Sequence, residues 1–195
     1  VLFRSFKPIE EIELELAAIA KSGTPVRRIF LADGDAMTLS FRRLKEIMTA
    51  INRHLPGVQR VSSYCLPRNL KTKTAEQLTE LNEMGLSLFY VGCESGDDLV
   101  LDRVKKGETF DTSLAALQKI KAAGAKSSVM ILNGMGGKRY SEQHALNSAR
   151  LMNAAQPEYL STLVVSFPRG MERYQKGFGG DFEPPDRKST RLNSS

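Results

Sequence analysis

Four times along this chain a run with helical apolar spacing reaches a glycine, a short apolar run begins a few residues later, and a polar loop follows it. The glycines are Gly23, Gly57, Gly85 and Gly124. Glycine is favoured just past a helix end because the left-handed conformation needed there costs it little. Such a recurrence of helix, glycine, strand and polar loop describes consecutive βα units. Strands that alternate with helices and are nearly uniformly apolar predict a parallel sheet covered by helices.

Taken in order, residues 8–20 read as a helix, with Pro8 in its first turn and Ile9, Ile12, Leu16 and Ile19 on one stripe. A strand at 27–32 runs into Asp33-Gly34-Asp35. Ser40 is a candidate N-cap for a second helix whose apolar face is Leu44, Ile47, Met48 and Ile51, stopped by Pro56-Gly57. A strand at 58–64 follows. Thr74 and Gln77 have capping-box spacing ahead of Leu78 and Leu81. Residues 86–107, LSLFYVGCESGDDLVLDRVKKG, form a buried strand, a polar loop and a short helix. Another helix starts near Asp111 with Leu114, Leu117 and Ile120 inward. Strand 126–132 reaches Asn133-Gly134-Met135-Gly136-Gly137. Ser141 opens a helix that sets Ala145, Ala149 and Met152 together, and 159–167 reads as a fifth strand.

Right-handed crossovers bring all five post-strand loops to one end of the sheet. Asp33, Gly34, Asp35, Arg68, Glu94, Ser95, Asn133, Gly134 and Arg169 therefore converge, and carboxylates, an arginine and glycines there suit a small polar ligand. Asp33 and Asp35 also suit a turn. Glu94 is set apart from ordinary helix-entry residues because Asp97 and Asp98 already fill that role. Lys105 and Lys106 read as cations matched to a helix end. His54 and His144 read as solvated, Met130 and Met135 as core and loop filler, and Cys65 and Cys93 as small core residues.

The chain has 195 residues, enough for one substantial core, and no apolar run of the roughly 20 residues that span a bilayer. It reads as soluble and cytoplasmic. Of the formal charge of +6, half lies at the ends: residues 186–195 hold three basic residues against one acidic, and residues 1–5 add Arg4. Both ends resemble translated adapter sequence and are set aside as non-native, leaving residues 6–185 as the domain. No basic stripe with interleaved aromatics supports a nucleic-acid partner.

GCESGDDLVLDRVKKG, residues 92–107, resembles the Gly-x-Glu-Ser-Gly signature of radical S-adenosylmethionine enzymes, in the branch with methylthiotransferases and oxygen-independent coproporphyrinogen oxidases. LADGDAMTL, residues 31–39, stands where that family has its Gly-Gly-Glu-Pro loop. VMILNGMGG, residues 129–137, stands at its glycine-rich loop, and Phe167-Pro168-Arg169-Gly170 at its Pro-Gly loop.

The resemblance implies a partial TIM-like (βα)6 barrel with the first strand missing and five visible βα units. It implies S-adenosylmethionine and a [4Fe–4S] cluster held by a Cys-x3-Cys-x2-Cys loop after the first strand, upstream of Phe6. An electron donor such as flavodoxin or ferredoxin would reduce the cluster, and a 5′-deoxyadenosyl radical would abstract hydrogen from a substrate the sequence does not identify. Carried over by position, Asp33, Gly34 and Asp35 lie by the methionyl ammonium, and Glu94 with Ser95 near the ribose or amino group. Ser128 is placed toward the carboxylate or ribose, and Asn133 and Gly134 near the adenine. A chain of this extent is expected to be inactive alone and to leave sheet edges and an apolar face bare. Two other readings stay open: a divalent-metal lyase or hydrolase using Asp33, Asp35 and Glu94, and a catalytically silent binding domain.

Overall fold

Helix starts in this protein are written in side chains. Ser40 accepts a hydrogen bond from the Arg43 amide, and Thr74 and Gln77 form a reciprocal capping box, as their spacing predicts. The computed structural model describes residues 6–168 and 170–184; the two end segments and Arg169 lie outside the described residues. In chain order the elements are α1 (Ile9–Lys21), β1 (Arg28–Leu31), α2 (Phe41–His54), β2 (Arg60–Cys65), α3 (Ala75–Glu83) and β3 (Leu86–Glu94). Then come α4 (Asp98–Arg103), α5 (Phe110–Ala122), β4 (Lys126–Asn133), α6 (Ser141–Ala155), β5 (Tyr159–Val164) and α7 (Glu172–Gly177). Short 3-10 turns at Ala36–Thr38 and Pro67–Leu70 follow β1 and β2.

The five strands form one sheet in sequence order, every neighbouring pair parallel. This is the partial TIM-like α/β fold. Val61, Phe89, Val91, Cys93, Val129 and Ile131 point to the helices and meet Leu44, Met48, Leu78, Leu81, Leu117 and Ile120 in one apolar core. Side chains alternate along a strand, so the register Tyr64–Tyr90–Ser128 and Gly92–Met130–Ser161 lies on the opposite, inner face. Phe30, Tyr64 and Tyr90 make a ring cluster there, with centroids 4.8 to 6.2 Å apart.

Three local expectations change. Gly23, Gly85 and Gly124 adopt positive φ but Gly57 does not; α2 ends instead on Leu55, which leaves the helical conformation before Pro56, while α6 ends in the left-handed region on Gln156. The inner stripe of α6 is His144, Ser148, Leu151, Met152 and Ala155; of the expected set Met152 is buried, whereas Ala145 is half-buried and Ala149 exposed. The stripe is partly polar because this helix lies against the backbone of the loop after β3. Ile19 is exposed, so α1 is held by Leu16 with Ile9 and Ile12. All of β5 is exposed, including Tyr159, Leu160, Leu163 and Val164. Among the described residues no helix is long and apolar enough to cross a membrane.

Candidate functional site

At the carboxyl end of the sheet, the inner face opens into a cavity of about 260 Å³ bordered by Asp35, Tyr64, Tyr90, Glu94, Ser128 and Met130. Three of the eight residues singled out in the sequence thus share one space: Asp35, Glu94 and Ser128. Asp33 and Gly34 sit exposed in the loop after β1, both at positive φ. Asn133 and Gly134 lie half-buried at the end of β4, away from the cavity lining. Ser95 is fully buried and does not line the cavity. Met130, expected as filler, borders it instead because it falls on the inner face.

Glu94 ends β3 beside a register irregularity and has φ of 65°, a left-handed conformation rare for a residue with a side chain. Its Oε1 lies 3.2 Å from Nζ of Lys106, and both side chains are more than four-fifths buried. Lys106 is therefore not a solvated helix-end cation. Its position, twelve residues after Glu94 across a six-residue helix, returns it to the strand end. Gly92 makes room for the carboxylate: a Cβ there would lie 2.7 Å from Glu94 Oε1. The aromatic segment around α7 also reaches this region, since burial, and after it the charge of Glu94, raises the pKa of Tyr174. The sequence carries no periodic signal for so short a helix.

Most of the rest of the signature builds the loop. The Ser95 hydroxyl accepts from the Asp97 amide at 2.9 Å and meets His144 Nδ1 at 2.8 Å. The Gly96 amide donates to Ser148 Oγ at 3.0 Å. Asp97 caps α4 through Val100 and accepts from Asn147 Nδ2. Asp98 accepts from the Phe110 amide at the start of α5. Glu108, its carboxylate wholly buried, holds the Arg68 amide and guanidinium, and Arg68 in turn donates to the Lys106 carbonyl. His144, read as solvated in sequence, is buried because it faces this loop. A histidine on the face of a helix with Ser148 and Leu151 was the available signal.

Asp35 links loops. Its Oδ1 accepts from the Met37 amide at 2.8 Å, and its Oδ2 from the Leu66 amide at 2.6 Å and Asn69 Nδ2 at 2.7 Å. Nearby Lys73 is buried, with its ammonium donating to the Met37 carbonyl at 2.6 Å; burial lowers its pKa.

The grouping of Asp33, Asp35 and Glu94 around a divalent cation does not survive this geometry. Asp35 is committed to amides and Glu94 to Lys106, and among the described residues no three His, Cys, Asp or Glu side chains are placed to hold a metal ion. The two cysteines do not offer iron ligands either. Both are buried and unpaired, and burial pushes Cys65 well above the ordinary thiol range and Cys93 up to about 12. We expect both thiols to resist a thiolate-specific disulfide reagent at neutral pH and to react at once in denaturant. Rapid native labelling of either would contradict the packing described.

Residues 4–152 match the family model described as the radical SAM superfamily. The heme chaperone HemW of Bacillus subtilis (strain 168) is 25% identical over 170 residues, covering 83% of this chain and 45% of the relative. The tRNA uridine(34) acetyltransferase of Methanocaldococcus infernus is 23% identical over 188 residues, covering 91% and 34%. Among solved structures, coproporphyrinogen III oxidase (HemN) from Escherichia coli, a radical SAM enzyme, superposes with a TM-score of 0.72 at 14% identity over 95% of this chain and 42% of that one. The chain spans less than half the length of the curated relatives it matches.

Proposed function

The chain belongs to the radical SAM superfamily, and from that premise we propose that residues 6–185 are the S-adenosylmethionine-binding barrel core of a radical enzyme. The observation that carries the reading is Glu94, turned by a left-handed backbone toward a cavity at the strand ends and paired there with Lys106. In this proposal the Glu94 carboxylate accepts from the ribose or amino group of the cofactor, and Ser128 reaches its carboxylate or ribose. Asp33, Gly34 and Asp35 lie toward the methionyl ammonium and Asn133 and Gly134 toward the adenine. Ser95 contributes by fixing the Glu94 loop, its hydroxyl being engaged elsewhere.

The superfamily generally couples this cofactor to a [4Fe–4S] cluster, and the described residues do not fit one. Cys65 and Cys93 are two buried thiols on different strands, so cluster ligands would come from other residues. In the whole enzyme an electron donor of the flavodoxin or ferredoxin type would complete radical formation. A haem chaperone and a tRNA-modifying enzyme are both similar to this chain, so the core does not choose the substrate.

Calorimetric titration of the chain with S-adenosylmethionine tests the assignment. Glu94→Gln removes a charge-assisted acceptor with little change of shape, and we expect the dissociation constant to rise about 10- to 100-fold. Titrations in which the wild-type chain takes no cofactor, or the variant binds equally well, would overturn it.

A further inference from the structure

His144 is 4% exposed and sits on α6. Its Nδ1 lies 2.8 Å from Ser95 Oγ, in the residue directly after Glu94. The backbone of Leu132, directly before Asn133, acts on the same ring. Ser95 Oγ already accepts the Asp97 amide at 2.9 Å. Its remaining hydrogen is best donated to an unprotonated Nδ1, which places the ring proton on Nε2. Nε2 is buried and has no hydrogen-bond partner of normal geometry.

We infer that His144 is a titratable positioning residue that holds the Glu94 loop in register with the carboxyl end of β4. This rests on the cofactor reading above only for its effect on binding; the coupling of the two loops is independent of it. In the neutral ring, Nδ1 accepts from Ser95, and the loop keeps Glu94 turned to the cavity. Protonation converts Nδ1 to a donor. The Ser95 hydroxyl must then accept from both the ring and the Asp97 amide, and its own hydrogen loses its acceptor in a dry site. The charged side chain acting on the ring is Asp97, whose carboxylate is already held by the Val100 amide and Asn147 Nδ2. Burial opposes protonation more strongly than Asp97 favours it. The switch therefore operates on the acid side of the ordinary histidine range.

Three forms of the chain separate this role from simple packing. His144→Asn keeps an acceptor near the Nδ1 position but does not titrate, and His144→Phe keeps a ring but no acceptor. Backbone amide spectra recorded from about pH 8 to about pH 4 cover the ordinary histidine range and its acid side. In the wild type we expect the amides of Ser95, Asp97 and Asn133 to shift together along a single titration. In the Asn variant these shifts should vanish. The Phe variant should show the displaced positions at every pH. S-adenosylmethionine affinity should follow the same curve, weakening about five- to tenfold on protonation and by a similar factor in the Phe variant at any pH. Shifts that persist in the Asn variant, or amides of the two loops that titrate separately, would overturn the inference. Coupled shifts with no cofactor binding by the wild type would uphold the positioning role and remove the cofactor reading instead.

Discussion

Gly96→Ala should lower the stability of the chain by about 3 kcal/mol or more, seen as a fall in the urea midpoint with little change in slope. A methyl group at this position would lie 2.7 Å from the Asn147 carbonyl carbon and 2.9 Å from Ser148 Cα, and closer still to the Asn147 carbonyl oxygen. Every one of these atoms is helix backbone, which cannot rotate aside as a side chain would. The loop cannot retreat either, because the Gly96 amide is bonded to Ser148 and Ser95 is bonded to His144. Nor is the requirement conformational, since Gly96 is not among the residues with positive φ. Gly34→Ala supplies the contrast. Gly34 has φ of 139° and open space around the added carbon, so only backbone strain acts, roughly 1 to 3 kcal/mol, in a loop free to adjust. Equal tolerance at the two positions would show that α6 does not rest on the signature loop.

That second glycine illustrates what sequence could and could not say. Helix starts were legible because capping is local: Ser40, Thr74 and Asp97 each bond an amide three residues on. The parallel sheet was legible because β3 and β4 need apolar side chains toward the helices, and their spacing from the glycines is regular. The convergence of the strand ends was legible, and Asp35, Glu94 and Ser128 do meet around one cavity. What stayed hidden depends on contacts distant in sequence. Lys106 looked like a helix-end cation until the short α4 brought it back to Glu94. His144 looked solvated because nothing near it in sequence announces that α6 leans on residues 95–97. Ser95 looked like a ligand for the same reason. Its hydroxyl satisfies a histidine and an amide, and such pairings cannot be read from residue type.

Asp35→Ala should be nearly as damaging as the glycine substitution, by about 3 kcal/mol, because it removes a charged acceptor and leaves amides of two separate loops without partners. The carboxylate takes the Met37 amide at the first turn, and across the sheet end the Leu66 amide and Asn69 side chain. Burial raises the pKa of Cys65 and lowers that of Lys73; the Asp35 charge adds to the first effect and, after Cys65, opposes the second. Removing that charge should therefore lower the pKa of both, and quicken alkylation of Cys65 in the native protein. Asp35→Asn separates shape from charge. Oδ1 can still accept from Met37, but Nδ2 now opposes the Leu66 donor, so part of the stability should be lost. Urea titration and cofactor titration of the two variants then give different information. If affinity for S-adenosylmethionine follows stability, Asp35 serves the ligand only by tying the loops after β1 and β2 together. If the Asn variant stays folded and loses affinity more than tenfold, the ligand reads the charge itself, and a cationic group of the cofactor lies beside this carboxylate.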